Sequence, residues 1–134
     1  MAYEYTNCEV VRVVDGDTLD IKVDVGFRMT TVQRFRLYGY NAPESSGLEG
    51  PLGRQAADRL ARLCPVGTRV ALRTYKGDAF GRWLCDLYVT DPDIRDLVHD
   101  AVTLLVREGW GVRWDGRGRR PVFDPASAYP RFTG

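Results

Sequence analysis

The chain has 134 residues, of which 44% are hydrophobic and 28% are charged, and its formal net charge is +1. This composition is typical of a soluble globular domain, and it excludes a disordered chain and a bulk polycation that binds nucleic acid through net charge alone. The length predicts a single domain over residues 1–134 with one hydrophobic core. No apolar stretch approaches membrane-spanning length, so we expect no membrane partner.

The N-terminus and the cysteines indicate the cellular compartment. The first residues, MAYEYTNCEVV, contain no basic segment followed by an apolar run. The sequence therefore predicts a cytoplasmic protein, and a signal peptide removed from it would make the protein secreted. Cys8, Cys64 and Cys85 are widely spaced and odd in number, which argues against a disulfide framework or a zinc site. We expect each to be a small buried apolar residue in a reducing compartment.

Three strands are predicted at the start of the chain, over residues 9–14, 19–25 and 31–38. The first ends at the sequence DGDT, where Asp15-Gly16 favours a hairpin because glycine adopts positive φ at little cost. The second alternates between apolar and charged residues, as a half-buried strand does. Short turns between the three strands predict an antiparallel meander.

Two helices and two further strands complete the predicted elements. A helix is expected over 53–64, where apolar residues recur with a helical period, and strands follow over 69–75 and 83–89. Asp91-Pro92 resembles a helix N-terminus, and the apolar residues after it share one helical face as far as a stop at Gly109. That helix would carry His99, the only histidine, on its polar side.

Five strands, with one helix between the third and fourth and another after the fifth, predict a mainly β fold with α-helices (α+β). This order is that of the OB-fold, a five-stranded barrel that binds nucleic acids or oligosaccharides. A fold alone does not select a function, which has to be argued from a site.

Polar residues suited to phosphate chemistry lie at the ends of the predicted strands. Asp17 follows the first strand, the stretch RLYGYNAPE places Arg36, Asn41 and Glu44 at the end of the third, and Arg82 precedes the fifth. Carboxylate and amide oxygens are ligands for a hard cation such as Ca²⁺, and arginine matches the oxygens of a phosphate. Each motif by itself is also typical of a polar turn or a surface charge, so only the joint pattern is informative.

Four motifs occur in the order and spacing of a known family: DGDT at 15–18, FRL at 35–37, NAPE at 41–44 and FGR at 80–82. They resemble the successive motifs of the staphylococcal nuclease (thermonuclease) family. The resemblance covers about residues 10–109, and 110–134 form a divergent C-terminal segment. It implies an OB-fold endonuclease that uses Ca²⁺ to hydrolyse DNA and RNA at the 5′ P–O bond and leaves 3′-phosphates. We expect single-stranded substrate to be preferred.

The resemblance also implies catalytic roles for three side chains. Arg36 and Arg82 correspond to the two arginines that bind the scissile phosphate, and Glu44 corresponds to the proposed general base. Hydrolysis needs positive charge on the non-bridging oxygens and a carboxylate that orients and deprotonates water.

The implied calcium site consists of Asp17, Asn41 and the backbone carbonyl of Ala42, with Thr18 beside it. Asn41 departs from the family, which has a second carboxylate at this position. An amide oxygen can still ligate Ca²⁺, but one lost charge-assisted contact weakens binding by roughly ten- to a hundred-fold.

Other departures concern the side chains that would bind the nucleotide. The family's lysine–tyrosine pair before its last catalytic arginine is Ala79-Phe80 here, and Phe80 can stack on a base but cannot donate a hydrogen bond. Trp110 or Trp114 is expected to substitute for the tyrosines of the family's nucleotide pocket. The basic run 113–120 joins Trp114 to arginines, among them Arg117 and Arg119. This pattern is as typical of a solvated tail as of binding to single-stranded nucleic acid.

Two alternatives to a nuclease come from other functional classes. A catalytically weak or inactive OB module that binds nucleic acid or protein would explain Asn41, whereas the joint presence of Arg36, Glu44 and Arg82 favours the enzyme. An oligosaccharide-binding OB domain would explain the barrel but not two arginines beside a glutamate.

Overall fold

The computed structural model describes residues 2–77, 81–90, 98–121 and 123. Its main strands are β1 (Tyr3–Asp15), β2 (Thr18–Gly26), β3 (Met29–Leu37), β5 (Arg69–Tyr75) and β6 (Trp83–Thr90). Three short strands are β4 (Tyr40–Asn41), β7 (Val98–Asp100) and β8 (Val112–Arg113). The helices are α1 (Gly50–Leu63), which follows a 3₁₀ turn at Gly47–Glu49, and α2 (Ala101–Arg107).

The five main strands close into a barrel. They are hydrogen-bonded in the order β3-β2-β1-β5-β6, and β3 also pairs with β6 in parallel, with Phe35 opposite Trp83 and Arg36 opposite Leu84. The predicted OB-fold, mainly β with two helices, is confirmed. Within β2 the predicted alternation holds for Leu19, Ile21 and Val23, which are at most 3% exposed, but not for Val25, which is 41% exposed near the end of the strand.

Several element boundaries differ from the prediction. Strand β1 begins at Tyr3 instead of residue 9, because its first half pairs with β5 and its second half with β2. A register shift between Tyr5 and Cys8 bends the strand between these two partners. Helix α1 begins at Gly50, three residues before the predicted start, with Pro51 in its first turn.

The predicted second helix does not run through Val98–Asp100. Its residues 91–97 lie outside the described part of the chain, but Val98–Asp100 form strand β7, which pairs with β6 and carries His99. Helix α2 begins at Ala101, since the Asp100 carboxylate accepts a hydrogen bond from the Thr103 amide at 3.2 Å. Pairing with β6 and the Asp100 N-cap therefore determine the structure of Val98–Asp100, although the apolar residues of this stretch recur with a helical period.

The cysteines are core residues, as predicted. Cys8, Cys64 and Cys85 are free thiols, each at most 2% exposed. Burial raises the pKa of the Cys8 thiol to about 11 and that of Cys64 to about 12. Both thiols are therefore neutral and unreactive at physiological pH.

A largely buried ion pair attaches the chain after α2 to α1. Arg59 is 7% exposed, and its Nε and Nη2 donate to the Glu108 carboxylate at 2.7 and 2.8 Å. Trp110 Nε1 donates to the same carboxylate at 2.9 Å.

Neither α-helix in the described ranges is long and apolar enough to cross a lipid bilayer.

Strand β8 then carries the C-terminal segment across β4. Tyr40 lies opposite Arg113 and Asn41 opposite Val112, and the Trp114 amide donates to the Gly39 carbonyl at 2.9 Å. A Cβ on Gly111 would lie 2.4 Å from the Tyr40 hydroxyl, so only glycine allows this close crossing.

Candidate active site

A cleft of about 760 Å³ opens where the DGDT turn, the end of β3 and the C-terminal segment meet. Seven of the predicted site residues line it: Asp17, Arg36, Asn41, Ala42, Glu44, Arg82 and Trp114. Thr18 is buried behind Asp17, at 2% exposure. Phe80 lies outside the described residues, and Arg117 and Arg119 are exposed and do not line the cleft. Their predicted role in nucleic-acid binding stays a prediction.

The DGDT turn is held against the loop that follows β4. Asp15 pairs with Thr18, which confirms the hairpin, but Gly16 does not have positive φ. The reason for glycine is steric, because a Cβ here would lie 2.8 Å from Ala56 Cβ and 2.9 Å from Ala42 Cβ. The predicted conformational reason was wrong, and close packing replaces it.

Asp17 is oriented by hydrogen bonds to both carboxylate oxygens. Oδ1 accepts from the Thr18 hydroxyl at 3.0 Å, and Oδ2 accepts from the Ala42 amide at 3.2 Å. The backbone is fixed as well, because the Leu37 amide donates to the Asp17 carbonyl at 2.9 Å. The first and third predicted motifs therefore meet at this side chain.

Arg36 lies at the centre of the cleft. Its Nη2 is 3.4 Å from the Tyr40 carbonyl, 3.5 Å from Asn41 Oδ1 and 4.0 Å from Asp17 Oδ2. These distances are long for hydrogen bonds, so the guanidinium is held loosely and can turn toward a phosphate. It lies 5.6 Å from the ring centroid of Trp114, within the range of a cation–π contact.

The parallel pairing of β3 with β6 explains why Arg82 joins Arg36. Phe35 lies opposite Trp83 and Arg36 opposite Leu84, so Arg82, the residue before β6, lies at the same end of the strand pair as Arg36. Arg34 also lines the cleft, but it is paired with Asp20, with hydrogen bonds of 2.8 and 3.1 Å. The cleft thus brings Arg36 and Arg82 together with Arg34 and Arg120.

Asn41 has a structural reason to be an amide. It is 1% exposed, and its Nδ2 donates to the Pro121 carbonyl at 3.4 Å while its Oδ1 faces Arg36. An aspartate could not donate to that carbonyl, and two acceptors would then face each other. The amide therefore makes one long hydrogen bond to the C-terminal segment that a carboxylate could not make.

Sequence reasoning missed two residues of the site, Glu49 and Arg120. Glu49 is 8% exposed, and its carboxylate accepts from the Glu44 amide at 3.0 Å and the Phe123 amide at 3.4 Å. Arg120 donates to the same carboxylate from Nη1 at 3.2 Å and from Nη2 at 3.1 Å. The basic run was a signal for Arg120, but nothing in the local sequence marks Glu49.

Glu44 lies at the rim of the cleft, where its side chain is 62% exposed. Its Oε1 is 3.8 Å from Arg120 Nε, and its backbone is held by Glu49. The loop also packs directly on α1, because Gly53 has no side chain to separate them. The carboxylate is thus open to solvent while its backbone is fixed.

The protonation of Glu49 should affect stability. Burial raises the pKa of Glu49, but hydrogen bonds from Arg120 and the Glu44 amide lower it further, so the net pKa lies below its ordinary value. A depressed pKa means that the stabilisation is present above pH ~4.3 and is lost as the pH falls through the folded-state pKa.

We therefore expect Glu49→Gln to lower the free energy of unfolding by about 1.5–3 kcal/mol at pH 7, and by much less once the pH falls below the folded-state pKa of Glu49. Urea unfolding at several pH values measures this difference. Glu4→Gln, an exposed strand position outside the cleft, is the control and should show no such trend. A gap that stays constant with pH would contradict the role of the Glu49 charge.

The donor set agrees in chemical class with a calcium site. Asp17, the Asn41 amide and the Ala42 carbonyl supply oxygen ligands, which Ca²⁺ prefers. The oxygens of Asp17 and Asn41 converge on one Arg36 nitrogen, at 4.0 and 3.5 Å. Within the described residues there is no group of three or more His, Cys, Asp or Glu that could hold a metal ion. The site therefore offers few charges to a cation.

The chain is similar in sequence to a known nuclease. No protein-family model matches the chain. A protein of Shigella flexneri named Micrococcal nuclease is 34% identical to it over 113 residues. The alignment covers 81% of this chain and 60% of that relative, so the chain spans about 60% of the relative's length.

Proposed function

The chain belongs to the staphylococcal nuclease (thermonuclease) family, and from this premise we propose that it is a nuclease that hydrolyses phosphodiester bonds. The observation that carries the proposal is the meeting of Arg36, Glu44 and Arg82 in one cleft, although they lie up to 46 positions apart (82 − 36). Two arginines and a carboxylate around one concave surface are the groups that phosphodiester hydrolysis requires.

The proposed roles follow from charge and exposure. Arg36 and Arg82 bind the non-bridging oxygens of the scissile phosphate, where negative charge increases in the transition state. Glu44, with its exposed carboxylate, orients a water molecule and accepts its proton. The oxygen of that water bonds to phosphorus, the bond to the 5′ oxygen breaks, and the 5′ oxygen takes up a proton from solvent. The products are a 3′-phosphate and a 5′-hydroxyl.

We further propose that Ca²⁺ is the cofactor. Asp17, Asn41 Oδ1 and the Ala42 carbonyl would hold it, with water as the remaining ligands. When bound, the ion would supply additional positive charge next to the phosphate.

The proposed substrate is DNA or RNA, with a preference for single strands. Trp114 lies beside Arg36, so a base can stack on the indole while its phosphate binds the guanidinium. Paired bases in a duplex are not available for such stacking.

Two observations favour a second candidate, a module that binds nucleic acid or protein without cleaving it. Asn41 lacks the charge of the family's carboxylate, and Arg120 Nη2 donates to the Ala42 carbonyl at 3.2 Å. Both changes make the cleft more favourable to an anion and less favourable to a cation.

Cleavage of an end-labelled single-stranded oligonucleotide separates the two candidates. The nuclease predicts cleavage that requires Ca²⁺, stops with EDTA and leaves 3′-phosphate ends. Duplex DNA of the same sequence should be cleaved more slowly. Binding without cleavage in Ca²⁺, Mg²⁺ or Mn²⁺ would reject the nuclease and support the module.

A further inference from the structure

Arg120 reaches the backbone oxygen that is proposed to ligate the cation. Its Nη2 donates to the Ala42 carbonyl at 3.2 Å, and its Nε is 3.8 Å from Glu44 Oε1. The guanidinium thus contacts one proposed metal ligand and neighbours the proposed general base. Arg120 also lines the same cleft as Arg36 and Arg82.

The position of this guanidinium is built into the fold. Glu49, which is 8% exposed, holds Arg120 through two hydrogen bonds, at 3.2 Å to Oε2 and 3.1 Å to Oε1. The same carboxylate accepts hydrogen bonds from the backbone amides of Glu44 and Phe123. It therefore joins the loop that carries Glu44 to the C-terminal segment. Charge-assisted bonds of this kind are the stronger ones in proteins.

The low negative charge of the proposed ligand set is compatible with an arginine beside the Ala42 carbonyl. A neutral Asn41 stands where the family has a carboxylate, which leaves Asp17 as the charged member of the proposed ligand set. A divalent ion bound to the Ala42 carbonyl would lie next to the Arg120 guanidinium. The ion and the guanidinium would repel each other strongly, because solvent screens two charges in this cleft only partly.

Resting on the proposed function, we propose that Arg120 is a displaceable internal cation of the metal site. Without a divalent ion, its guanidinium neutralises the Glu44 carboxylate and donates a hydrogen bond to the Ala42 carbonyl. When the ion binds, the guanidinium has to leave that carbonyl. Arg120 therefore sets the Ca²⁺ concentration at which the site is filled, and Glu49 holds the arginine close enough to return.

Calorimetric titration with CaCl₂, without nucleic acid, tests this role by binding and not by activity. Arg120→Ala should bind Ca²⁺ on the order of tenfold more tightly than the wild type, because one like charge is removed. Arg62→Ala is the matched control, since it removes the same charge from an exposed position of α1 outside the cleft. Its affinity should stay within about twofold of the wild type.

Two further variants separate charge from packing and protect the test against misfolding. Arg120→Gln keeps a donor for Glu49 without the charge and should bind Ca²⁺ as tightly as Arg120→Ala. Arg120→Lys keeps the positive charge and should bind Ca²⁺ within about threefold of the wild type. Thermal unfolding of each variant establishes that it is folded.

The possible failures can be told apart. Equal Ca²⁺ affinity in the wild type, Arg120→Ala and Arg120→Gln would overturn the role of Arg120 while calcium binding itself stands. Tighter binding by Arg120→Lys as well would also overturn it, because the cause would then be packing. Absence of Ca²⁺ binding in the wild type and every folded variant would overturn the calcium part of the proposed function and this inference with it.

Discussion

Replacement of Glu44 by glutamine is expected to lower the turnover of single-stranded DNA by roughly 100- to 10,000-fold. Glutamine has nearly the same shape as glutamate but cannot accept a proton from water. Affinity for the oligonucleotide should change by less than about threefold, since the proposed phosphate contacts belong to Arg36 and Arg82. The side chain is 62% exposed, so the variant should fold normally.

Steady-state cleavage and equilibrium binding of the same oligonucleotide measure the two effects separately. Glu4→Gln carries the same chemical change on an exposed strand away from the cleft, and it should retain wild-type turnover. If Glu44→Gln loses affinity as much as turnover, the carboxylate binds the substrate and does not activate water. If it keeps full turnover, another group is the general base.

Local motifs were enough to predict most of the candidate site. Asp17, Asn41, Ala42 and Glu44 lie in two short stretches at the ends of strands, and a closed barrel brings strand ends together. Arg82 required the parallel pairing of β3 and β6, which the OB-fold order already implies. The barrel itself followed from strong alternation, as in β2.

The rest depends on contacts between distant residues. Arg120 and Glu49 are 71 positions apart, and no local pattern indicates that one holds the other at the Ala42 carbonyl. From the sequence, the amide at Asn41 indicated only the loss of a charged metal ligand. The structure adds its hydrogen bond to the Pro121 carbonyl. The predicted second helix included Val98–Asp100 because periodicity does not detect the pairing of these residues with β6. In each case the deciding partner lies on another element.

Replacement of Gly53 by alanine is expected to lower turnover by about 100-fold, with a loss of stability of about 1–3 kcal/mol. A Cβ on Gly53 would lie 2.0 Å from the Glu44 carbonyl oxygen, 2.3 Å from its carbon and 2.6 Å from the Ser45 nitrogen. All three are backbone atoms, so no side chain can rotate out of the way. The loop has to move away from α1, and the Glu44 carboxylate moves with it.

Gly50→Ala in the same helix is the matched control, because its Cβ would meet only the flexible end of Arg54 at 3.0 Å and the Ser45 carbonyl at 3.5 Å. Alanine favours helix, so this variant should be as stable as the wild type or up to about 1 kcal/mol more stable, with turnover within about threefold. Urea unfolding and cleavage assays on both variants separate the effect of helix propensity from the effect of displacing the Glu44 loop. A Gly53→Ala protein that is destabilised but turns over at the wild-type rate would show that catalysis does not require the fixed loop. Loss of turnover in a protein that is still folded would show that α1 positions the general base.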